Sequence, residues 1–184
     1  MSETAPQQSC RELIANSKTL MLSTLQSSFW RQSKVNQATA VPVLHSSVTP
    51  FIYRDNAFFI FISELAQHTA NLQALIEYNA LHQQEPAVLI SILLSCDEAE
   101  TTQLFARQRL SMQCEVGKVD SQSKIYQPIL AQFTEEFGEV VDILKTLDFH
   151  LFKLQCISGD YVQGFGQAYR FQGLPCDKLE QKRQ

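Results

Sequence analysis

Ala57-Phe-Phe-Ile-Phe-Ile-Ser63 runs without interruption into Glu64-Leu-Ala-Gln-His-Thr-Ala-Asn-Leu72. The first seven residues, dominated by Phe and Ile, are the strongest strand pattern in the chain. At Glu64 the period changes. Leu65, Leu72, Leu75 and Ile76 fall on one helical face that extends to Tyr78, with Ser63 placed as N-cap. The free N–H groups at such a strand-to-helix junction attract anions. Immediately upstream, Arg54-Asp55-Asn56 reads as a hairpin turn, Asp and Asn supplying local hydrogen bonds and tolerance of positive φ. Before it, Val41–Tyr53 carries two prolines, which confines any strand there to an edge, a bulge or a broken ladder.

Working outward, Thr19–Leu25 and Val88–Ser95 are apolar and β-favouring, and Leu110-Ser-Met-Gln-Cys-Glu-Val116 alternates as a half-buried strand does. Phe149–Gln155 and Asp160–Gln163 are expected as two strands split by a Ser158-Gly159 turn, and Gly164-Phe-Gly166 breaks the ladder before Ala168–Phe171. Helices are expected over Arg11–Lys18, Asp97–Arg107, Ser121–Phe133 and the amphipathic Phe137–Leu147. Gln26–Ala40 reads as a long polar hairpin loop whose Phe29-Trp30 pair folds back on the body, and Asn79–Pro86 reads as a linker. Six or more strands broken by a few short helices do not form βαβ repeats; they predict a mainly β, antiparallel barrel with helical decoration. The expected organisation is an N-terminal tail and short helix over 1–17, one barrel domain over 18–172 and a C-terminal tail over 173–184.

The whole is 184 residues, 45% apolar and 18% charged, about one domain and long enough to bury a core without disulfide or metal staples. A net charge of −4 argues against nucleic acid or an anionic membrane as partner, and the apolar runs are too short to span a bilayer. The polar start has no signal-peptide pattern, and five scattered cysteines (10, 96, 114, 156 and 176) without a C-x-x-C pair suit a reducing, cytoplasmic setting. The four histidines lie far apart, which disfavours zinc.

Two places could hold a ligand. His68 stands in the second turn of the helix expected after Ser63, either as a surface or packed histidine or as a contact to phosphate, propionate or metal. Arg107 and Arg109 flank Gln108; on an extended backbone both guanidiniums face one side, as a carboxylate or phosphate clamp or as two solvated cations. Gly164-Phe-Gly166 lacks the third glycine of a dinucleotide loop.

Taken together, the segments Ile62-Ser63-x-Leu65-Ala66-x-His68-x-x-Asn71-Leu72, Leu104-Phe-Ala-Arg-Gln-Arg-Leu110, Phe137-Gly-Glu139, Asp148-Phe-x-Leu-Phe152 and Val162-x-Gly-Phe-Gly-Gln-Ala-Tyr169 resemble the haem-utilisation proteins of the HugZ/HutZ type. These belong to the pyridoxamine 5′-phosphate oxidase-like, flavin-binding split barrels. The resemblance covers about residues 18–171 and implies a cytoplasmic homodimer of six-stranded antiparallel Greek-key split β-barrels. Two ligand clefts would lie between the subunits. In the haem branch such proteins bind haem and open its ring with O₂ and an external reductant, releasing iron; in the flavin branch the cleft holds FMN. A dimer that only stores or delivers a cofactor is the third reading. Carried onto this chain, Ser63, His68 and Asn71 match the strand-to-helix turn, Arg107 and Arg109 the basic pair, and Phe165 and Gln167 the GFGQAY segment. Asp148 matches a carboxylate that bonds the iron-ligating histidine across the dimer, the one residue here with an implied catalytic role. That histidine comes from the C-terminal tail in the haem branch, whereas residues 173–184 contain none. Cys176 and His150 are the substitute iron ligands the sequence offers, and binding without efficient ring opening is the expected outcome.

Overall fold

The computed structural model describes residues 4–33, 41–82 and 87–182. In chain order it contains α1 (Ala5–Asn16), β1 (Thr19–Leu25), α2 (Ser27–Ser33), β2 (Leu44–Pro50), β3 (Ile52–Arg54), β4 (Ala57–Ser63), α3 (Gln67–Leu81) and β5 (Ile90–Ser95). A short 3₁₀ turn at Leu104–Ala106 precedes β6 (Arg109–Lys118), α4 (Tyr126–Phe137), α5 (Val140–Leu144), β7 (Phe149–Gly164), β8 (Gln167–Gln172) and β9 (Glu180–Gln181). All strands join one antiparallel sheet whose main path is β2-β1-β5-β6-β7-β4-β3, with β8 on the far half of β7 and β9 on β8. Mainly antiparallel β with short helices is therefore the observed class. The sheet has nine strands where six were expected, the surplus including the three-residue β3 and the two-residue β9.

Burial explains the order. Six of the seven β4 residues are buried because both faces of the strand are covered. Phe58, Ile60 and Ile62 enter the large core with Leu20, Leu22, Ile92, Leu110, Met112 and Phe152. Ala57, Phe59 and Phe61 turn the other way, onto Ile129, Leu130 and Phe133 of α4 and Val141 of α5. Each such side chain, moved from water to the interior, contributes about 1.5–3 kcal/mol. The hairpin before β4 turns through Asp55 and Asn56 at φ +51° and +61°, as their composition requires. The proline-bearing β2 is a sheet edge, as expected.

Several expectations are corrected. The strand pair split at Ser158-Gly159 is one continuous sixteen-residue strand, β7. Gly159 is there for closeness and not for turning: a Cβ would lie 2.3 Å from the Ser111 carbonyl oxygen and 2.6 Å from Phe171 Cζ, because the Phe171 ring covers the glycine. The helix expected over Phe137–Leu147 is cut by Gly138 at φ +85°, which caps α4 through its N–H to the Thr134 carbonyl (2.8 Å). Only the short α5 follows, with Val140, Ile143 and Leu147 exposed. The helix expected over Asp97–Arg107 is a turn stabilised by the Asp97 carboxylate, then the 3₁₀ turn.

The N-terminal helix starts earlier than the expected Arg11–Lys18: the stretch expected as tail contains the start of α1, which buries Cys10, Leu13 and Ile14. Inside the expected loop Gln26–Ala40 lies α2, and Trp30 does fold back, 4% exposed against Phe29 and Tyr78. The rest of that loop (34–40), and residues 83–86 of the expected linker, lie outside the described residues.

The reading of all five cysteines as unpaired is also overturned. Cys10 in α1 and Cys176 in the tail form a disulfide across 166 residues of sequence. No spacing rule announces a pair so far apart; the fold brings α1 and the tail to one side. Closing so long a loop is worth about 5 kcal/mol in the loop-entropy picture.

Gly159→Ala should lower unfolding free energy by about 1–3 kcal/mol, the usual cost of overpacking. Gly117→Ala in neighbouring β6, where a Cβ meets nothing within 4 Å, should change it by less than about 0.5 kcal/mol. Denaturant midpoints of the two variants check this.

Candidate functional site

The sequence-predicted residues fall into two groups at opposite ends of β7. The first group lies where β4 and β7 meet: Ser63 pairs with Phe149, Ile62 with His150, and the Glu64 N–H donates to the Asp148 carbonyl (2.7 Å). Asp148 itself is exposed. The carboxylate that His150 does touch is Glu64, whose Oε2 binds Nε2 of the imidazole. Bonds from Gln73 and then from His150 hold the Glu64 carboxyl below its usual range. His150 also lines a groove of about 480 Å³ with Lys118, Asp120 and Tyr126.

The junction after Ser63 differs in detail from the sequence reading. α3 begins at Gln67, not at Glu64, and Ser63 is not its cap; the Ser63 hydroxyl accepts from the Leu65 N–H (3.2 Å). His68 therefore sits in the first turn of α3. Its Nδ1 is 2.9 Å from the Ser47 hydroxyl on β2. Burial, and secondarily the neighbouring His45, lower its pKa, so the ring is neutral near neutral pH. Asn71 is 1% exposed and committed to the fold. Its Oδ1 accepts from the Ser27 N–H (2.8 Å) and Gln67 Nε2 (2.9 Å), while its Nδ2 donates to Thr24 (2.9 Å). It joins α3, β1 and the start of α2.

The second group gathers at the start of β6 and the end of β7. Arg109 is opposite Val162, two residues before the β7–β8 hairpin whose tip carries Phe165, 69% exposed, and whose return strand opens with exposed Gln167. Alternation works as expected here: Arg107 and Arg109 lie outside and Gln108 points in. Arg107 is not a free clamp. Its Nε donates to the Cys96 carbonyl (2.6 Å) and its Nη1 to Glu98 (2.8 Å), an exposed pair worth at most about 1 kcal/mol that an anionic ligand can displace. Arg109 is exposed, with Nη1 on the Arg107 carbonyl (3.0 Å).

Sequence reasoning missed Gln108. Its Nε2 donates to the Ser9 carbonyl (3.1 Å), the Ser9 hydroxyl (3.0 Å) and Tyr161 Oη (2.5 Å), and its Oε1 accepts from the Cys96 thiol (2.9 Å). The one available signal was the alternation itself, which aims a polar side chain inward between two arginines.

Beside this group runs a groove of about 720 Å³. Its floor holds Met21, Val48 and Leu93, matched across β2, β1 and β5; α1 forms one wall, and Arg107 and Lys18 share the rim with Glu12, Asp97, Glu98 and Glu100. Of the substitute iron ligands, Cys176 is excluded while it is disulfide-bonded. Cys114 and Cys156 are a buried thiol pair across β6 and β7; their mutual hydrogen bond, and then burial, push the Cys114 thiol far up, which makes it inert. Among the described residues there is no cluster of three metal-ligating side chains, and no helix long and apolar enough to cross a membrane.

The mainly antiparallel sheet with short helices fits a split barrel, and comparison narrows the class. No family model matches the chain. The chain is 39% identical over 128 residues to the haem oxygenase HutZ of Vibrio cholerae, spanning 69% of this chain and 66% of that protein's length. The crystal structure of V. cholerae HutZ, described as a haem storage protein, superposes with a TM-score of 0.62 at 31% identity, covering 84% of this chain and 91% of that one. Campylobacter jejuni ChuZ shares the fold, with a TM-score of 0.70 at 23% identity over all of this chain and 69% of that one. The protein thus belongs to the HugZ/HutZ-type family of split barrels.

The depressed His68 pKa has a consequence for stability. Between its folded value and the ordinary value near 6.5, the unfolded chain binds more protons than the folded one. This contribution is therefore present above about pH 6.5 and lost as pH falls below it. His68→Gln should flatten that part of the stability profile, as read from denaturant midpoints between about pH 8 and pH 5.

Proposed function

We propose that this protein binds haem in clefts between the subunits of a homodimer, Arg107 and Arg109 holding the propionates from one subunit and the Asp148–His150 end of β7 reaching the same cleft from the other. One observation carries the reading. Phe149 and Val162 lie at opposite ends of β7, about 40 Å apart along the strand at ~3.3 Å per residue, a span no single small ligand bridges. A two-fold axis brings one subunit's start of β7 beside its partner's end of β7 without changing either fold. The exposed Val41, Val43 and Leu44, at the start of edge strand β2, supply apolar surface for such an interface. In this reading the six-stranded Greek-key barrel is the family core of the nine-stranded sheet, and the cytoplasm is its setting, where the Cys10–Cys176 bridge is open to reduction.

The residues fit haem rather than a purely polar cofactor. The groove beside Arg107 has an apolar floor and a volume suited to a porphyrin. For the iron, the chain offers His150, whose Nε2 is already taken by the Glu64 carboxylate and whose Nδ1 would face the metal. A carboxylate on the far ring nitrogen fixes the tautomer and strengthens the donor, the role the family resemblance gave to Asp148. Bound haem would supply the iron and the O₂ chemistry that opens its own ring with electrons from an external reductant. The chain's part is to seat the propionates, hold the imidazole and exclude water.

Light scattering should show a dimer at micromolar concentration, and added haem should give a Soret band. Arg107→Ala or Arg109→Ala should weaken haem binding about tenfold, since a charge-assisted bond is worth ~1.5–3 kcal/mol, with little change in Tm. His150→Ala should shift the Soret band, and Glu64→Gln, which removes the carboxylate from the imidazole, should depress turnover with ascorbate more than binding. A yellow protein with paired flavin bands would make FMN the occupant instead, and a monomer would remove the shared cleft.

A further inference from the structure

Gln108 does more than fill space between two arginines. Its side chain is held on both sides, by Tyr161 of β7 and Cys96 after β5, and by Ser9 of α1. Tyr161 Oη also donates to the Ser9 hydroxyl (3.0 Å), which closes a three-membered ring of bonds inside the barrel. Tyr161 is fully buried, while Ser9 and Gln108 are half-buried at the edge of the groove, so the ring runs from the core to the groove wall. Ser9 is the residue immediately before Cys10, and Cys10 is bonded to Cys176. The tail reinforces that anchor: Gln7 of α1 donates to the Asp177 carbonyl, and the tail continues into β9, which pairs with β8. The same helix forms a wall of the groove beside Arg107, through Ser9, Glu12, Leu13 and Asn16.

We infer that Gln108 is a positioning residue for the ligand site, and that the Cys10–Cys176 disulfide, acting through Ser9, determines whether Gln108 holds the Arg107–Arg109 segment in its binding geometry. The inference rests on the haem reading for its ligand but not for its mechanism. Two further bonds transmit the position of Gln108 to the arginines. The Cys96 N–H donates to the Gln108 carbonyl (3.0 Å), and Arg107 Nε donates to the Cys96 carbonyl. When a dithiol such as dithiothreitol reduces the bridge, its thiolate forms a mixed disulfide with one cysteine sulfur. Its second thiol then closes a cyclic disulfide, so that two electrons and two protons pass from dithiothreitol to Cys10 and Cys176, which become thiols. Cys96, Cys114 and Cys156 are already reduced and are untouched. α1 then keeps only its noncovalent contacts, Ser9 no longer pins Gln108, and the arginine segment loosens.

Hydrogen exchange and haem titration of the full chain, with and without dithiothreitol, test this. Reduction should speed exchange at the Cys96 and Arg107 amides, which bond to the Gln108 and Leu104 carbonyls, and should weaken haem binding about tenfold. Gln108→Ala with the disulfide intact should weaken binding by a similar factor, and reduction of that variant should cost little more, because both changes act through one path. Should Gln108→Ala fail to fold, Ser9→Ala makes the same measurement. Faster exchange in α1 alone, with Cys96, Arg107 and haem affinity unchanged, would make the disulfide a staple and overturn the coupling. If the oxidised chain takes up no haem, the haem reading fails while the exchange result still decides the coupling.

Discussion

Pairing along the sixteen residues of β7 governs where everything else can sit. Its first half pairs with β4 while β6 runs along nearly its whole length, and its second half also takes β8. Residues at its two ends are therefore about 40 Å apart along the strand. Continuity of β7 depends on Gly159, since any side chain there would collide with the Ser111 carbonyl and the Phe171 ring. A turn at that point would fold the strand back and place Asp148 and Arg109 on one side of the barrel. The unbroken strand separates them, and the separation makes a second subunit the economical way to complete a ligand cleft.

Around that frame the large core and the smaller one under α4 hold the strands in register, and a few polar groups tie helices to the barrel. Asn71 joins α3 to β1 and α2, and Gln108 with Tyr161 joins α1 to β6 and β7. Asn71 is buried and Gln108 half-buried, and both have their bonds satisfied, the condition under which such groups specify an arrangement instead of weakening it. The two arginines, by contrast, remain at the surface, with the Glu98 partner of Arg107 weakly bound. That division between a fixed interior glutamine and displaceable exterior cations is what a ligand-holding segment requires.

Local pattern made much of this legible. Alternation in Leu110–Val116 found β6, Asp55-Asn56 found its hairpin, and Arg107-Gln108-Arg109 sorted outward from inward. The HugZ/HutZ resemblance, carried by the LFARQRL and GFGQAY segments, led to the family that comparison then showed. What stayed illegible depends on contacts distant in sequence. Gly159 looks like a turn until Phe171 is seen above it. Gly138 stops a helix whose hydrophobic period continues past it, because periodicity does not register a left-handed residue. Cys10 and Cys176 meet only after the whole barrel has formed, and His150 finds Glu64 rather than Asp148 because β4 and β7 pair in one register and no other. Asn71 matched a family motif by type and spacing, yet its side chain is spent on the fold.

A mixed dimer tests most directly whether each haem cleft draws on both subunits. One chain would carry Arg107→Ala and Arg109→Ala, the other His150→Ala, and the heterodimer would be purified by two different tags and titrated with haem. If each cleft takes its arginines from one subunit and its imidazole from the other, the mixed dimer regains one intact cleft of two, with the wild-type Soret band at half the wild-type stoichiometry, while each variant homodimer regains none. A mixed dimer that binds no better than the two variant homodimers would show that each cleft belongs to a single chain, contrary to the geometry of β7.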